Sequence, residues 1–139
     1  MNWIFYATGS AVFASLVAIF GKMGLKNVDT TLATTIRAVV MAIFLIIVAF
    51  SLKKFSGIES ISGKPLLFII LSGVAGALSW LFYFWAIKYG PVSGVVAIDR
   101  TSVIFALILA ALFLGEAFTW KTAAGGLLIL GGALLVALK

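Results

Sequence analysis

Apolar segments long enough to cross a lipid bilayer recur five times along the chain and leave little sequence for other structure. The hydrocarbon core of a bilayer is about 30 Å thick, so a helix needs roughly 20 mostly apolar residues to span it. Charged residues make up only 10% of the sequence, whereas soluble domains carry about 25%. The sequence therefore predicts an all-α integral membrane protein with a single transmembrane domain over residues 1–139. Its five helices are expected over residues 3–23, 30–51, 66–87, 92–114 and 120–138.

The residues at the ends of these segments suit helix boundaries. Asp29 can accept hydrogen bonds from the first amides of the second helix, and Thr119 can do the same for the fifth. Gly90 and Pro91 end the third helix and open the fourth. Only residues 52–64 form a connection longer than a tight turn, so consecutive helices are expected to run antiparallel as neighbours.

The composition excludes most enzyme chemistry. The chain contains no histidine and no cysteine, which removes the commonest general base and the usual soft metal ligands. It also lacks a glycine-rich phosphate loop. We therefore expect no catalytic residue, no metal and no cofactor. The net charge is +6, but the lysines lie at the ends of apolar segments, where they mark membrane junctions rather than a nucleic-acid surface.

The lysines do not fix the orientation of the chain in the membrane. Five crossings place the termini on opposite faces, and each face receives four lysines. The N-terminal face holds Lys53, Lys54, Lys64 and Lys121, and the other face holds Lys22, Lys26, Lys88 and Lys139. Adding Arg37 and Arg100 to the second face gives only six against four, a weak signal for the positive-inside rule. Either copies insert in both directions and pair as an antiparallel dimer, or another signal sets one orientation.

Three charged residues, Arg37, Asp99 and Arg100, lie inside the predicted helices and away from their ends. Arg37 and Asp99 each follow the start of a helix by seven residues, and both helices start on the same face. At a rise of about 1.5 Å per residue, both reach a depth of about 10 Å. We expect Arg37 to pair with Asp99 or to compete with Arg100 for it. The pair is either a static contact that fixes packing or a carboxylate that exchanges arginine, proton and substrate, as transporter carboxylates do.

Polar and small residues recur at helical spacing on the first four helices, which predicts a shared polar cavity. Taken singly, each stripe is also explained by close helix packing. Trp80 lies in the middle of its helix, where it is expected either to stack on a flat or cationic substrate or to fill space. The predicted substrate and ion pathway comprises Asp99, Arg37, Arg100, Ser102, Ser15, Trp80, Tyr83 and Lys22.

The fifth helix differs because it has no polar side chain between Ala123 and Leu138. Gly125 and Gly132 lie seven residues apart on one face, where glycines let another helix approach closely. This helix is therefore expected to be peripheral to a four-helix cavity-lining bundle and to form the dimer interface. Packing against its own bundle is the alternative.

The sequence resembles an EamA domain of the drug/metabolite transporter superfamily over essentially its whole length. The resemblance rests on Lys22, Arg37, the Lys88-Tyr89-Gly90 turn, Asp99-Arg100, Glu116, Gly125 and Gly132. Larger members carry two such domains in ten helices, arranged as inverted repeats around a central site, so the resemblance implies a homodimer here. The Gly125/Gly132 spacing is also similar to that of the dimerisation helix of small multidrug resistance proteins. Many members have a proline early in the fourth helix, where this chain has Ala97.

The residues and the resemblance together predict a secondary transporter subunit. It is expected to move a small organic metabolite or drug across the membrane by alternating access as a dimer. Proton-coupled export across a prokaryotic cytoplasmic (inner) membrane is the expected mode. The alternative is a non-transporting membrane assembly or accessory protein whose charges only fix helix pairing.

Overall fold

The computed structural model describes residues 2–138, apart from the side chains of residues 59 and 60, and all regular structure in that range is helical. The α-helices are α1 (Asn2–Gly24), α2 (Thr30–Ser51), α3 (Lys64–Tyr89), α4 (Val92–Asp99), α5 (Ser102–Leu114) and α6 (Trp120–Ala137), and a short 3₁₀ helix covers Lys54–Ser60. Within the described residues, five spans are long and apolar enough to cross a membrane, with α4 and α5 forming one of them. The predicted all-α membrane fold is confirmed. Met1 and Lys139, which the domain bounds and the lysine count include, lie outside the described residues.

Local hydrogen bonds explain where two of the helices begin. The Asp29 carboxylate accepts a hydrogen bond from the Leu32 amide at 2.9 Å, and the backbone of Asp29 is extended. Thr119 and Thr122 form a reciprocal capping box at the start of α6. Both satisfy amides that a helix leaves without partners in its first turn. The N-caps predicted at Asp29 and Thr119 are confirmed.

The helices expose apolar side chains over much of their surface. Phe5 and Phe113 are each 79% exposed and Leu135 is 80% exposed. A soluble protein would bury such side chains, because exposed apolar area is costly in water. In a bilayer they meet acyl chains instead, so the surface agrees with the membrane class.

The chain forms two compact units. The first contains most of α1 together with α4, α5 and α6, and the second covers Met23–Lys88, which includes α2 and most of α3. In the first unit α6 packs along α4 and, to a smaller extent, along α5. The expected cavity shared by four helices, with a peripheral fifth, would draw on both units and stays a prediction.

Small residues bring α6 close to α4 and α5. Gly94 in α4 is buried, and a Cβ atom there would lie 3.7 Å from the Cα of Ala137 and 3.3 Å from Cγ of Pro91. Gly126 is also buried, and its Cβ would lie 3.3 Å from a methyl group of Leu107. Ala133, one heptad after Gly126, is 6% exposed. The contact face of α6 within the first unit is therefore built on Gly126 and Ala133.

The predicted interface residues Gly125 and Gly132 lie on a different face of α6. A Cβ atom at either position would meet nothing within 4 Å among the described residues. Successive residues of a helix are rotated by about 100°, so this face is adjacent to the one that packs inside the subunit. It is open, as a face kept for another chain would be.

Candidate functional site

The second unit places Arg37 directly on an aromatic ring. The guanidinium carbon of Arg37 in α2 lies 3.6 Å from the centroid of the Trp80 ring in α3, and 5.5 Å from that of Phe84. Such contacts are held by attraction between the cation and the negative face of the ring. The sequence predicts that Trp80 either stacks on a substrate or fills space, and here one face of its ring holds an arginine of the same chain.

Neighbouring aromatic rings hold Trp80 in place. The Tyr83 ring meets it edge-on with centroids 5.4 Å apart, and the Phe84 ring lies tilted at 5.9 Å. Phe84 is 4% exposed. These residues follow Trp80 by three and four positions, which brings them to the same side of α3. The cluster makes a firm platform under the guanidinium.

A groove of about 610 Å³ opens between α2 and α3 around this contact. We call it the α2–α3 groove. It is lined by Thr34, Thr35, Arg37, Ala38, Met41, Ala42, Leu45, Gly73, Gly76, Ala77, Trp80 and Leu81. Its walls are mostly apolar, and Arg37 is the charged residue in the lining. Its size is within the range of pockets that accept small organic ligands, roughly 300–1,000 Å³.

The threonines of the groove have already used their hydrogen-bond donors. The hydroxyl of Thr34 donates to the carbonyl of Thr30 at 2.7 Å, and that of Thr35 donates to the carbonyl of Thr31 at 2.9 Å. A hydroxyl has one proton to donate, so both can still accept but not give. Arg37 therefore supplies the strong donors in the lining.

The register of α2 against α3 is fixed at one end by Lys88. Its ammonium group donates to the carbonyl of Val28 at 3.0 Å, just before α2 begins. Arg37 lies seven residues into α2, and Trp80 lies eight residues before Lys88 in α3. At about 1.5 Å per residue, both stand some 10–12 Å from this end. Sequence reasoning treated Lys88 only as a loop charge and missed this role, although the equal heights of Arg37 and Trp80 could have been read from the helix lengths.

The first unit contains Asp99, Arg100 and Ser102 around a break in the fourth span. The predicted helix over residues 92–114 forms one span. Its hydrogen bonding changes where α4 ends at Asp99 and α5 begins at Ser102, although Arg100 and Thr101 keep right-handed helical backbone angles. We call this point the break. Asp99 is half-buried, whereas Arg100 and Ser102 are exposed. The three predicted residues therefore lie together at one irregular point of the span.

Short-range hydrogen bonds produce this break. The Thr101 amide donates to the carbonyl of Ile98 at 2.9 Å, and the Ile104 amide donates to that of Thr101 at 2.9 Å. These bonds connect residues three apart, as in a 3₁₀ turn. The Thr101 hydroxyl adds a bond to the Ile98 carbonyl at 2.7 Å, and such side-chain bonds bend helices. The break needs no proline, and residue 97 is an alanine.

The remaining pathway residues have local partners in the first unit. The ammonium group of Lys22 donates to the carbonyl of Gly90 at 3.1 Å, which anchors the turn before α4. The hydroxyl of Ser15 donates to the carbonyl of Val12 at 2.7 Å within α1. Transport roles for both residues stay predictions. The expected pairing of Arg37 with Asp99 joins two different units and also stays a prediction.

Acidic side chains do not gather into a metal site in the part of the chain that the structure describes. Among residues 2–138, no three His, Cys, Asp or Glu side chains lie close enough together to hold a metal ion.

Comparison with known proteins gives matches along nearly the entire chain. The profile of the EamA-like transporter family matches residues 1–138. The protein described as "Uncharacterized transporter in cobO 3'region" of Sinorhizobium sp. is 37% identical over 136 residues, which cover 98% of this chain and 96% of that protein. No solved structure matches the chain.

Two further relatives are much longer than this chain. The uncharacterized transporter YvbV of Bacillus subtilis (strain 168) is 27% identical over 136 residues, which are 98% of this chain and 45% of that protein. Solute carrier family 35 member G1 of Homo sapiens is 30% identical over 136 residues, 97% of this chain and 36% of that protein. This chain thus spans less than half the length of either.

Proposed function

Because the chain belongs to the EamA-like transporter family, we propose that it is one subunit of a secondary transporter that moves a small organic solute by alternating access. The observation that carries the proposal is the half-buried guanidinium of Arg37, which is held on Trp80 beside a groove of about 610 Å³. Placing an arginine at the centre of a membrane helix costs about 2.5–3.5 kcal/mol on insertion scales. Charges kept at depth mark substrate or ion pathways in membrane proteins.

The subunit functions as a homodimer in this proposal. YvbV and the human relative are more than twice as long as the segment that they share with this chain, so a second copy would supply the missing half. The open face of α6 at Gly125 and Gly132 is the proposed interface. An antiparallel arrangement is preferred because the even division of lysines between the faces permits both orientations.

The break between α4 and α5 is the proposed site of ion coupling. Discontinuous helices form the substrate and ion sites of many secondary transporters, around which the rest of the protein moves. Asp99 ends α4 at this point and is half-buried, which supports its choice as the proposed coupling residue. Proton uptake at Asp99 would couple the ion gradient to export of the solute across a bacterial inner membrane.

Reconstitution in liposomes tests the proposal. Proton flux is recorded with an enclosed pH-sensitive dye while a panel of organic acids, amino acids and amines is added. We expect at least one class to drive flux, and the Asp99→Asn substitution to abolish it. Glu116→Gln is the matched control, because it removes one negative charge at an exposed position beyond α5. Flux that survives Asp99→Asn would refute the coupling role, and folded protein without flux for any class would favour an accessory protein.

A further inference from the structure

We propose that the α2–α3 groove selects an organic anion, namely an apolar molecule whose carboxylate or similar group binds the outer edge of Arg37. This assignment of a substrate class rests on the proposed transport function. The sequence alone predicts that Trp80 stacks on a flat or cationic substrate or fills space, and the proposal differs from the cationic case. Three features of the second unit support it.

The first feature is that the aromatic platform already holds a cation. Arg37 lies 3.6 Å from the centre of the Trp80 ring and 5.5 Å from that of Phe84. A cationic ligand approaching this ring would be repelled by the guanidinium beside it. An anion is attracted by the same charge, and attraction is stronger where water is partly excluded.

The second feature is the balance of donors and acceptors in the lining. The hydroxyl protons of Thr34 and Thr35 are given to backbone carbonyls at 2.7 and 2.9 Å. The guanidinium of Arg37, whose carbon lies 3.6 Å from the centre of the Trp80 ring, carries five N–H groups in its plane. The edge of a guanidinium fits a carboxylate with two parallel hydrogen bonds. The hydrogen-bond donors that the groove can give to a ligand are therefore those of Arg37, and they favour an anion.

The third feature is the depth of the site, which separates a solute from a lipid headgroup. Lys88 bonds to Val28 at the near end of the pair, and the Cα atoms of Arg37 and Trp80 lie about 10–12 Å further along their helices. An arginine near a helix end ordinarily extends toward the headgroups. Here Arg37 is held on a ring of the neighbouring helix instead. Lipid phosphates lie outside the hydrocarbon core, so we assign the site to a solute that enters the groove.

The glycines of the groove leave room for a ligand. Gly73 and Gly76 line one wall, and a Cβ atom at either would meet nothing within 4 Å among the described residues. Space is therefore available directly beside Arg37 and Trp80. A side chain added at Gly76 would occupy that space without removing the charge.

Quenching of Trp80 fluorescence provides the test. The chain has four tryptophans, and the substitutions Trp3→Phe, Trp85→Phe and Trp120→Phe leave Trp80 alone. The purified protein is placed in phosphatidylcholine nanodiscs and titrated with para-nitrobenzoate or with the para-nitrobenzylammonium cation. The two ligands have similar size and opposite charge, and both quench tryptophan on contact. We expect saturable quenching by the anion, with an affinity about tenfold or more above that of the cation.

Substitutions at the groove test whether Arg37 and the space beside Gly76 are responsible for binding of the anion. Arg37→Gln should weaken binding of para-nitrobenzoate about tenfold, and Arg37→Lys should restore part of it because the charge returns without the planar fork. Gly76→Leu should also weaken binding, by filling the groove. Lys26→Gln is the control, since it removes one exposed positive charge of the same unit and should leave the affinity unchanged. Circular dichroism checks that each variant is folded.

Several results would overturn the proposal. It fails if the cation binds as tightly as the anion, or if Arg37→Gln binds para-nitrobenzoate like the parent protein. It also fails if adding phosphatidylglycerol to the nanodiscs abolishes quenching, because a lipid headgroup would then occupy the site. Anion binding without solute-driven flux in liposomes would refute the transport function alone, whereas flux driven by amines without anion binding would refute the substrate class alone.

Discussion

Replacing each of two glycines of the first unit with leucine should change the stability of the subunit in opposite directions. Gly94 is buried between Pro91 and α6, and a Cβ atom there would lie 3.3 Å from the proline ring and 3.7 Å from the Cα of Ala137. Neither neighbour is a flexible side chain, so neither can turn away. Gly132 has nothing within 4 Å of its Cβ position among the described residues. Gly94→Leu should therefore loosen the subunit, and Gly132→Leu should leave the subunit intact.

The contacts set the size of each effect. Overpacking costs about 1–3 kcal/mol, and the rigid surroundings of Gly94 favour the upper end. Replacing glycine with leucine within a helix stabilises the helix by about 1 kcal/mol through helix propensity. The net loss for Gly94→Leu is then about 2 kcal/mol, whereas Gly132→Leu should gain up to about 1 kcal/mol within the subunit. The same Gly132→Leu change should weaken the proposed dimer by about tenfold or more, because close approach of two helices needs small residues.

Thermal unfolding in detergent, followed by circular dichroism, measures the first effect. Light scattering after size-exclusion chromatography, over a range of protein concentrations, measures the second. The tight packing of α6 on α4 at Gly94 is refuted if the Gly94→Leu variant unfolds at the same temperature as the parent protein. The proposed interface is refuted if Gly132→Leu keeps the dimer, or if it damages the isolated subunit as much as Gly94→Leu does.

Two further predictions concern a helix cap and the surroundings of the broken span. Asp29→Ala should destabilise the protein by about 1 kcal/mol because the Leu32 amide loses its acceptor, and Asp29→Asn should restore most of this in the same unfolding assay. Ser102→Cys should react with a membrane-impermeant thiol reagent, since the chain has no other cysteine and the break is proposed to be wet. Leu109→Cys, seven residues further along α5, should stay unreactive, and equal labelling of the two would contradict a hydrated break.

The fold could be predicted from sequence because its strongest constraint acts on each segment alone. Bilayer thickness fixes the length of an apolar helix whatever its neighbours are, and the caps at Asp29 and Thr119 depend on residues within one turn. The contact face of α6 was harder to predict from the sequence. Gly125 and Gly132 form one heptad pair, and Gly126 and Ala133 form another beside it. Composition does not distinguish the two, since only tertiary packing decides which face turns inward.

The partner of Arg37 shows the same limit at the site. Counting residues places Arg37 level with both Trp80 and Asp99, so height along the helix does not choose between them. The choice depends on how α2 is rotated about its axis, which is a property of packing. The stack on Trp80 at 3.6 Å settles one contact of the guanidinium. Its edges keep the capacity to bind a carboxylate, either from a ligand or from Asp99.

Asp99 and Arg100 lie at the break in the fourth span, and the physical chemistry of the bilayer bears on why charges occur there. A regular helix satisfies its own backbone, so a membrane span gains nothing by interrupting it. Irregular backbone at depth is tolerated where it is buried in protein or lines a wet cavity. Asp99 is half-buried and Arg100 is exposed at this break, and ionised side chains need the same wet surroundings. The amides around the break keep hydrogen-bond acceptors within the span, so the charges, rather than the backbone, are the groups that need a hydrated region here.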